Sequence, residues 1–124
     1  MRKLSIAVVL AVLFASTGVV LAAGPTIRVD PTTVQRGYVV RVFGVVPGCA
    51  IGNQVTLLSR AFSHRHEFAG VPAIFAEVGT GHKYSKRTRI PAGRRPDRYT
   101  ITGRCGGGNL GVTAHLRVTR AYYY

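Results

Sequence analysis

Residues 98–118 read RYTITGRCGGGNLGVTAHLRV, and this stretch decides the fold of the 124-residue chain. Apolar and polar side chains alternate on both sides of a glycine-rich turn. The apolar set is Tyr99, Ile101, Gly103, Cys105, Val112, Ala114, Leu116 and Val118. A period of two on each side of a Gly/Asn turn predicts a β-hairpin with one buried face. We expect Tyr99 to be a core residue whose hydroxyl binds a nearby backbone group, because a buried phenol needs a hydrogen-bond partner.

The start of the chain predicts export. A basic beginning, Met1-Arg2-Lys3, precedes an apolar run and small residues of the kind found at cleavage sites. We therefore expect a signal peptide over residues 1–23 and a secreted, extracellular protein. Retention of the segment as an anchor stays open, because the apolar run nearly spans a bilayer. We expect no transmembrane segment in the rest of the chain.

The two cysteines of this chain, Cys49 and Cys105, predict one structural disulfide. Paired cysteines in a small exported domain usually form such a bridge. A reactive thiol pair would need close spacing or an activating neighbour, and the sequence shows neither. Because each cysteine adjoins a turn, we expect the bridge near one end of the domain.

Residues 24–120 have the pattern of a single all-β domain, followed by a tail at 121–124. Short segments of alternating character are separated by turns, and no window carries a helical apolar stripe. The strand candidates before the hairpin are residues 26–29, 38–43, 54–58, 71–78 and 84–90. The last of these is heavily charged, so we expect it near a sheet edge. About seven strands in this length predict an immunoglobulin-like antiparallel β-sandwich with one disulfide.

Four short motifs in order resemble the small secreted immunoglobulin-like domains of high-GC Gram-positive bacteria. They are D-P-T-T-V-x-x-G from Asp30, P-G-C from Pro47, V-T-L from Val55 and P-x-x-Y-T-I-x-x-x-C from Pro96. The resemblance runs from about residue 26 to residue 118. It implies the sandwich fold, export and a role as an envelope or accessory module.

The charge of the chain predicts an anionic partner. There are 17 Lys and Arg residues against 4 Asp and Glu, a formal net charge of +13. Such a surface attracts polyanions, although it also serves solubility alone. We expect the contacts on the hairpin face and on a second cluster: Arg60, Arg98, Arg104 and Arg117, then Lys86, Arg87, Arg89, Arg94 and Arg95. The arginine fork suits phosphate and carboxylate groups.

These residues predict a secreted, non-catalytic, cell-envelope-associated module that contacts an anionic envelope polymer or another polyanion. We expect a monomer without cofactors and without specific nucleic-acid readout. Gly106 to Gly111 matches G-x-G-x-x-G, but a strand pattern follows where a dinucleotide site needs a helix. The acids Asp30, Glu67, Glu77 and Asp97 form no catalytic motif, and no serine elbow is present.

A metal site is the alternative function. The segment from His64 to Phe68, HRHEF, resembles the copper-binding strand of copper–zinc superoxide dismutases. Histidines at i and i+2 on a strand share one face and chelate one metal ion. The resemblance implies that His82 and His115 complete the set with His64 and His66. The alternative prediction is an extracellular copper- or zinc-binding protein, with dismutase-like activity as its enzymatic form. Two solvated loop histidines are the simpler interpretation.

Overall fold

Residues 24–120, which the computed structural model describes, form ten strands and one 3₁₀ turn at Thr80–His82. The strands are β1 (Arg28–Asp30), β2 (Thr33–Gln35), β3 (Val39–Val45), β4 (Gln54–Leu58), β5 (Glu67–Phe68), β6 (Val71–Glu77), β7 (Lys83–Arg89), β8 (Asp97–Cys105), β9 (Gly108–Asn109) and β10 (Ala114–Thr119). The predicted signal peptide and the tail at 121–124 lie outside the described residues. Within 24–120, no helix is long and apolar enough to cross a membrane.

The strands form two sheets. The small sheet has the order β1-β3-β7 and is antiparallel throughout. The large sheet has the order β2-β10-β8-β4-β6-β5, with β9 folded back on the end of β8. All its pairs are antiparallel except that of β2 with β10. The all-β prediction is confirmed, and the arrangement is compatible with an immunoglobulin-like sandwich.

The core lies between the sheets and follows the two-residue period. The small sheet contributes the buried side chains of Val40 and Val42 from β3, and the large sheet contributes those of Leu57 from β4 and Leu116 from β10. Successive side chains of a strand point to opposite faces, so their sequence neighbours point to solvent. This alternation orients the strand arginines such as Arg41 and Arg117 outward, whereas Lys86 of β7 has the inward parity.

The hairpin forms as predicted. β8 pairs with β10 antiparallel, with Ile101 opposite Ala114 and Tyr99 opposite Leu116. The hydroxyl of Tyr99, a half-buried residue, donates to the Arg95 carbonyl oxygen at 2.5 Å. Such a bond from a tyrosine to upstream backbone is a feature of immunoglobulin-like sandwiches. The hydroxyl partner expected for Tyr99 is therefore present.

The disulfide joins Cys49, in the turn after β3, to Cys105, the last residue of β8. The two Cα atoms are 6.1 Å apart. Since β3 belongs to the small sheet and β8 to the large sheet, the bridge connects the two layers at one end of the domain. The predicted pairing is confirmed.

The charged segment predicted for residues 84–90 forms β7, an edge strand of the small sheet. Of its residues only Tyr84 is buried. The Tyr84 hydroxyl donates to the Thr26 carbonyl oxygen at 2.8 Å, and burial raises the pKa of this tyrosine. The single inward anchor leaves the remaining side chains of β7 available to solvent.

Candidate functional site

Five cations share the outer face of the small sheet, which we call the small-sheet surface. They come from all three of its strands and are exposed: Arg28, Arg41, Lys83, Arg87 and Arg89. The register sets Arg41 directly opposite Arg87 and Val39 opposite Arg89. The antiparallel pairing thus concentrates charge from residues that are far apart in the sequence.

Local contacts hold two of these guanidinium groups against the sheet. Arg41 lies over the ring of Phe43, with Cζ 4.0 Å from the ring centroid, and its Nη1 donates to Ser85 Oγ at 3.3 Å. Arg89 Nη1 donates to the Gly37 carbonyl oxygen at 2.7 Å. A guanidinium has five N–H donors, so each group keeps donors for a ligand.

Cations outnumber acids on this surface, where Asp30 of β1 lies directly opposite Arg41. Within residues 24–120, the ion pair present is that of His64 Nδ1 with Glu67 Oε2 at 3.2 Å, and no arginine or lysine is paired. Like charges directly opposite each other on neighbouring strands are destabilising. The Arg41–Arg87 pair therefore favours an anionic ligand that is not part of the described chain.

The large sheet carries a second arginine pair on its own outer face. Arg117 of β10 lies directly opposite Arg98 of β8, and both are exposed. Arg60 follows β4, the strand that pairs with β8. We call Arg60, Arg98 and Arg117 the large-sheet surface. Threonines lie beside these arginines: Thr33 of β2 is directly opposite Arg117, and Thr100 of β8 is directly opposite His115 of β10.

The turn that contains Arg94 and Arg95 belongs with this second surface. Both arginines line a groove together with Arg60 and Asp97. The sequence places them in one cluster with Lys86, Arg87 and Arg89, which the structure puts on the other sheet. Arg94 is half-buried and its Nη2 donates to the Phe62 carbonyl oxygen at 2.8 Å, so this side chain holds the loop after β4.

Two other predicted contact residues, Arg104 and Lys86, belong to neither the small-sheet nor the large-sheet surface. Arg104 is half-buried, donates from Nη2 to the Gly107 carbonyl oxygen at 2.8 Å and lies over the Phe68 ring. These contacts close the glycine-rich turn. Lys86 lies opposite Val42 and therefore has the inward parity of β7, away from Arg87 and Arg89. It borders a groove of about 550 Å³ between β7 and β6, and Arg87 and Arg89 also line this groove.

The histidines do not form the expected metal site. His64 and His66 precede β5 in a turn, so they do not share a strand face. His64 contacts Glu67, and the His66 ring packs against Phe75 with centroids 5.4 Å apart. His82 bonds the Cys49 carbonyl oxygen at 2.9 Å through Nδ1, whereas His115 lies on the outer face of β10. Among residues 24–120 no group of three or more metal-ligating side chains is present.

Sequence reasoning missed three members of the small-sheet surface, Arg28, Arg41 and Lys83. Arg41 alternates with the buried Val40 and Val42, so the sequence does show that it points outward. Its position opposite Arg87 depends on the pairing of β3 with β7, which no local pattern reveals.

The fold and these surfaces define the class of this protein: a small, disulfide-linked all-β domain of two sheets, with an arginine pair on the outer face of each. Neither a protein-family model nor a curated protein matches the sequence. The fold is similar to that of the Pseudomonas fluorescens alkylpurine DNA glycosylase AlkC bound to DNA containing an abasic site analog. The TM-score is 0.50 at 17% identity, over 77% of this chain and 29% of that one. This chain thus spans less than a third of that protein, and the likeness shows the fold alone.

This comparison contradicts the predicted function and partner. The sequence predicts a secreted, envelope-associated module for anionic envelope polymers, without nucleic-acid readout, and a His64/His66 metal site as the alternative. A solved structure with a similar fold is that of a protein bound to DNA, and within residues 24–120 the histidines belong to no group of three or more metal-ligating side chains. The predicted binding of an envelope polymer is wrong on this finding, because the sequence shows the charge of a surface and not the polyanion that it meets. The metal alternative is wrong as well, because the histidines are in different surroundings. Secretion stays a prediction.

Proposed function

We propose that this protein binds DNA through contacts of its arginine side chains with the phosphate backbone. The observation that carries the proposal is the pair of like charges at Arg41 and Arg87, which lie directly opposite each other. Asp30 lies opposite Arg41 on the other side, but neither arginine forms an ion pair within residues 24–120. The side-by-side arginines cost stability in the free protein and gain it when an anion neutralises both.

The chemistry of the small-sheet surface supports phosphate as the ligand. A planar guanidinium matches phosphate oxygens with two parallel hydrogen bonds. The packing of Arg41 on Phe43 and its bond to Ser85 limit the side-chain freedom that would be lost on binding. The likeness in fold to a DNA-bound protein supports DNA as the source of the phosphates.

We propose binding without catalysis for this chain. Its acids Asp30, Glu67, Glu77 and Asp97 lie on four different strands, and all four are exposed. Acid–base or nucleophilic chemistry needs a positioned group, usually with a partner that activates it. The arrangement supports charge recognition better than a chemical step.

Export remains a proposal of its own. The Cys49–Cys105 disulfide supports it, because such bonds persist in oxidising compartments. The resemblance to small secreted immunoglobulin-like domains also supports it, and cleavage of residues 1–23 is testable by mass spectrometry of the purified protein.

The test of DNA binding is a salt titration with a fluorescently labelled duplex, followed by anisotropy. We expect the logarithm of the affinity to fall linearly with the logarithm of salt concentration, because bound phosphates release counterions. The double variant Arg41→Gln/Arg87→Gln removes two cations, and its slope should be smaller by about 2.

The matched control is Arg41→Lys/Arg87→Lys, which keeps both charges and should keep the slope. It should still bind more weakly, because lysine lacks the bidentate fork. Absence of duplex binding at low salt contradicts the proposal. An unchanged slope in the Gln variant shows instead that the small-sheet surface does not contribute to the measured binding.

A further inference from the structure

The small-sheet and large-sheet surfaces face opposite directions. Arg41 alternates with Val40 and Val42, which point into the core between the sheets. Arg117 alternates with Leu116 and Val118, which point into the same core from the other side. Because neighbouring side chains of a strand point to opposite faces, each arginine pair points away from the core on its own side.

We propose that the two surfaces bind two separate DNA duplexes, so that one molecule bridges them. This inference rests on the proposed function and adds a second binding site to it. Each surface has the same central feature, two arginines directly opposite each other in the register: Arg41 with Arg87 and Arg98 with Arg117. No arginine of either pair forms an ion pair within residues 24–120.

The stiffness of DNA excludes a single duplex as the ligand of both surfaces. The persistence length of a duplex is about 50 nm, far more than the width of a domain of this size. A duplex that lies on the outer face of one sheet would have to bend around the sandwich to reach the other face. Bending a short site by 40–90° already costs on the order of 1–6 kcal/mol, and this path needs a much sharper turn.

The thickness of the sandwich also allows two duplexes to bind at the same time, one on each outer face. Packed sheets are about 10 Å apart between their backbones, and outward side chains add to this distance on both sides. The Debye length at physiological ionic strength is about 8 Å. Two duplexes on opposite faces are therefore screened from each other, while each is in direct contact with arginines.

The test is the capture of a second duplex. One duplex is immobilised on beads, the protein is added, and a second, fluorescently labelled duplex is then supplied at low salt. We expect the wild-type protein to retain the labelled duplex. Arg41→Gln/Arg87→Gln and Arg98→Gln/Arg117→Gln should each still bind one duplex but capture at least about tenfold less of the second, because charge-assisted hydrogen bonds are lost.

Each double variant is the matched control of the other, since both remove two exposed arginines from a cross-strand pair. Thermal unfolding verifies that both are folded. Binding of one duplex by the wild type without capture of a second overturns the bridging proposal but leaves the proposed function intact. No binding of any duplex overturns the proposed function itself.

A mixture of the two double variants distinguishes bridging by one molecule from bridging by associated molecules. If one molecule must contact both duplexes, the mixture captures as little as each variant alone. Recovery of capture in the mixture overturns the proposal, because it shows that two associated molecules, each bound to one duplex, form the bridge. Unchanged capture by both unmixed variants overturns it as well, since the arginine pairs would then be dispensable.

Discussion

Gly44 shows how little space the contact between β1 and β3 leaves for a side chain. A Cβ atom at this position would stand 2.1 Å from the Thr26 carbonyl oxygen and 2.9 Å from the Tyr84 hydroxyl. That oxygen accepts the hydrogen bond from the Tyr84 hydroxyl. A methyl group here would therefore push the chain before β1 away from β3 and break the only polar contact of the buried phenol that the structure describes.

We expect Gly44→Ala to lower the free energy of unfolding by about 3 kcal/mol or more, since the obstacle is backbone and not a flexible side chain. Urea unfolding measures the effect. Gly48→Ala is the control, because a Cβ atom there meets nothing within 4 Å. Equal stability of the Gly44 variant and the wild type would show that β1 does not pack as described.

At the scale of single elements, the charged strand β7 serves two purposes with its two faces. Its outer face carries Arg87 and Arg89, which belong to the small-sheet surface. Lys86 has the inward parity, and β7 is an edge strand without a neighbour on its other side. An inward-pointing charge on an edge prevents pairing with a strand of another molecule. The charge of Lys86 therefore has a structural reason that does not involve a ligand.

The disulfide is the other contribution at this scale, because it ties the turn after β3 to the end of β8. The cysteines are 56 positions apart in the sequence. Closing a loop of this length in the unfolded chain is worth about 4 kcal/mol in the chain-entropy model. A domain of this size has a small core, so the bridge is a large share of its stability.

We expect the variant Cys49→Ala/Cys105→Ala to lose up to about 4 kcal/mol of unfolding free energy, seen as a lower midpoint of thermal unfolding. Reducing agent provides the control: it should shift the wild type to the midpoint of the variant and leave the variant unchanged. A variant as stable as the oxidised wild type contradicts a stabilising role of the bridge.

At the scale of the whole molecule, the chain has a formal net charge of +13, and no lysine or arginine within residues 24–120 forms an ion pair. Self-repulsion of this kind destabilises the compact state and is screened by salt. The cost is concentrated where the register places arginines side by side.

Raising NaCl from about 0.05 M to about 0.5 M should therefore stabilise the free protein by roughly 1 kcal/mol, a rise of ~4–8 °C in its unfolding midpoint. Thermal unfolding followed by circular dichroism measures the shift. The rise should be smaller in Arg41→Gln/Arg87→Gln, which removes one of the repulsive pairs. A midpoint that stays constant or falls with salt contradicts the idea that these pairs are strained in the free protein.

The sequence by itself determined the local features of this fold. The strand bounds 54–58 match β4, and the alternation around the glycine-rich turn predicts which side of β8 and β10 is buried. The disulfide pairing follows as well, because the chain has two cysteines. Such features are readable because strand geometry repeats every two residues, so a side chain's face depends on its immediate neighbours alone.

Only the tertiary structure decided which charges meet. Arg41 and Arg87 lie far apart in the chain, and the pairing of β3 with β7 makes them direct neighbours. The sequence groups Arg94 and Arg95 with the cations of β7, whereas in the folded protein they line a groove with Arg60. Cross-strand register and sheet order depend on the packing of the whole core between the layers. A basic surface is therefore predictable from composition, whereas its division into two opposite faces is a property of the folded sandwich.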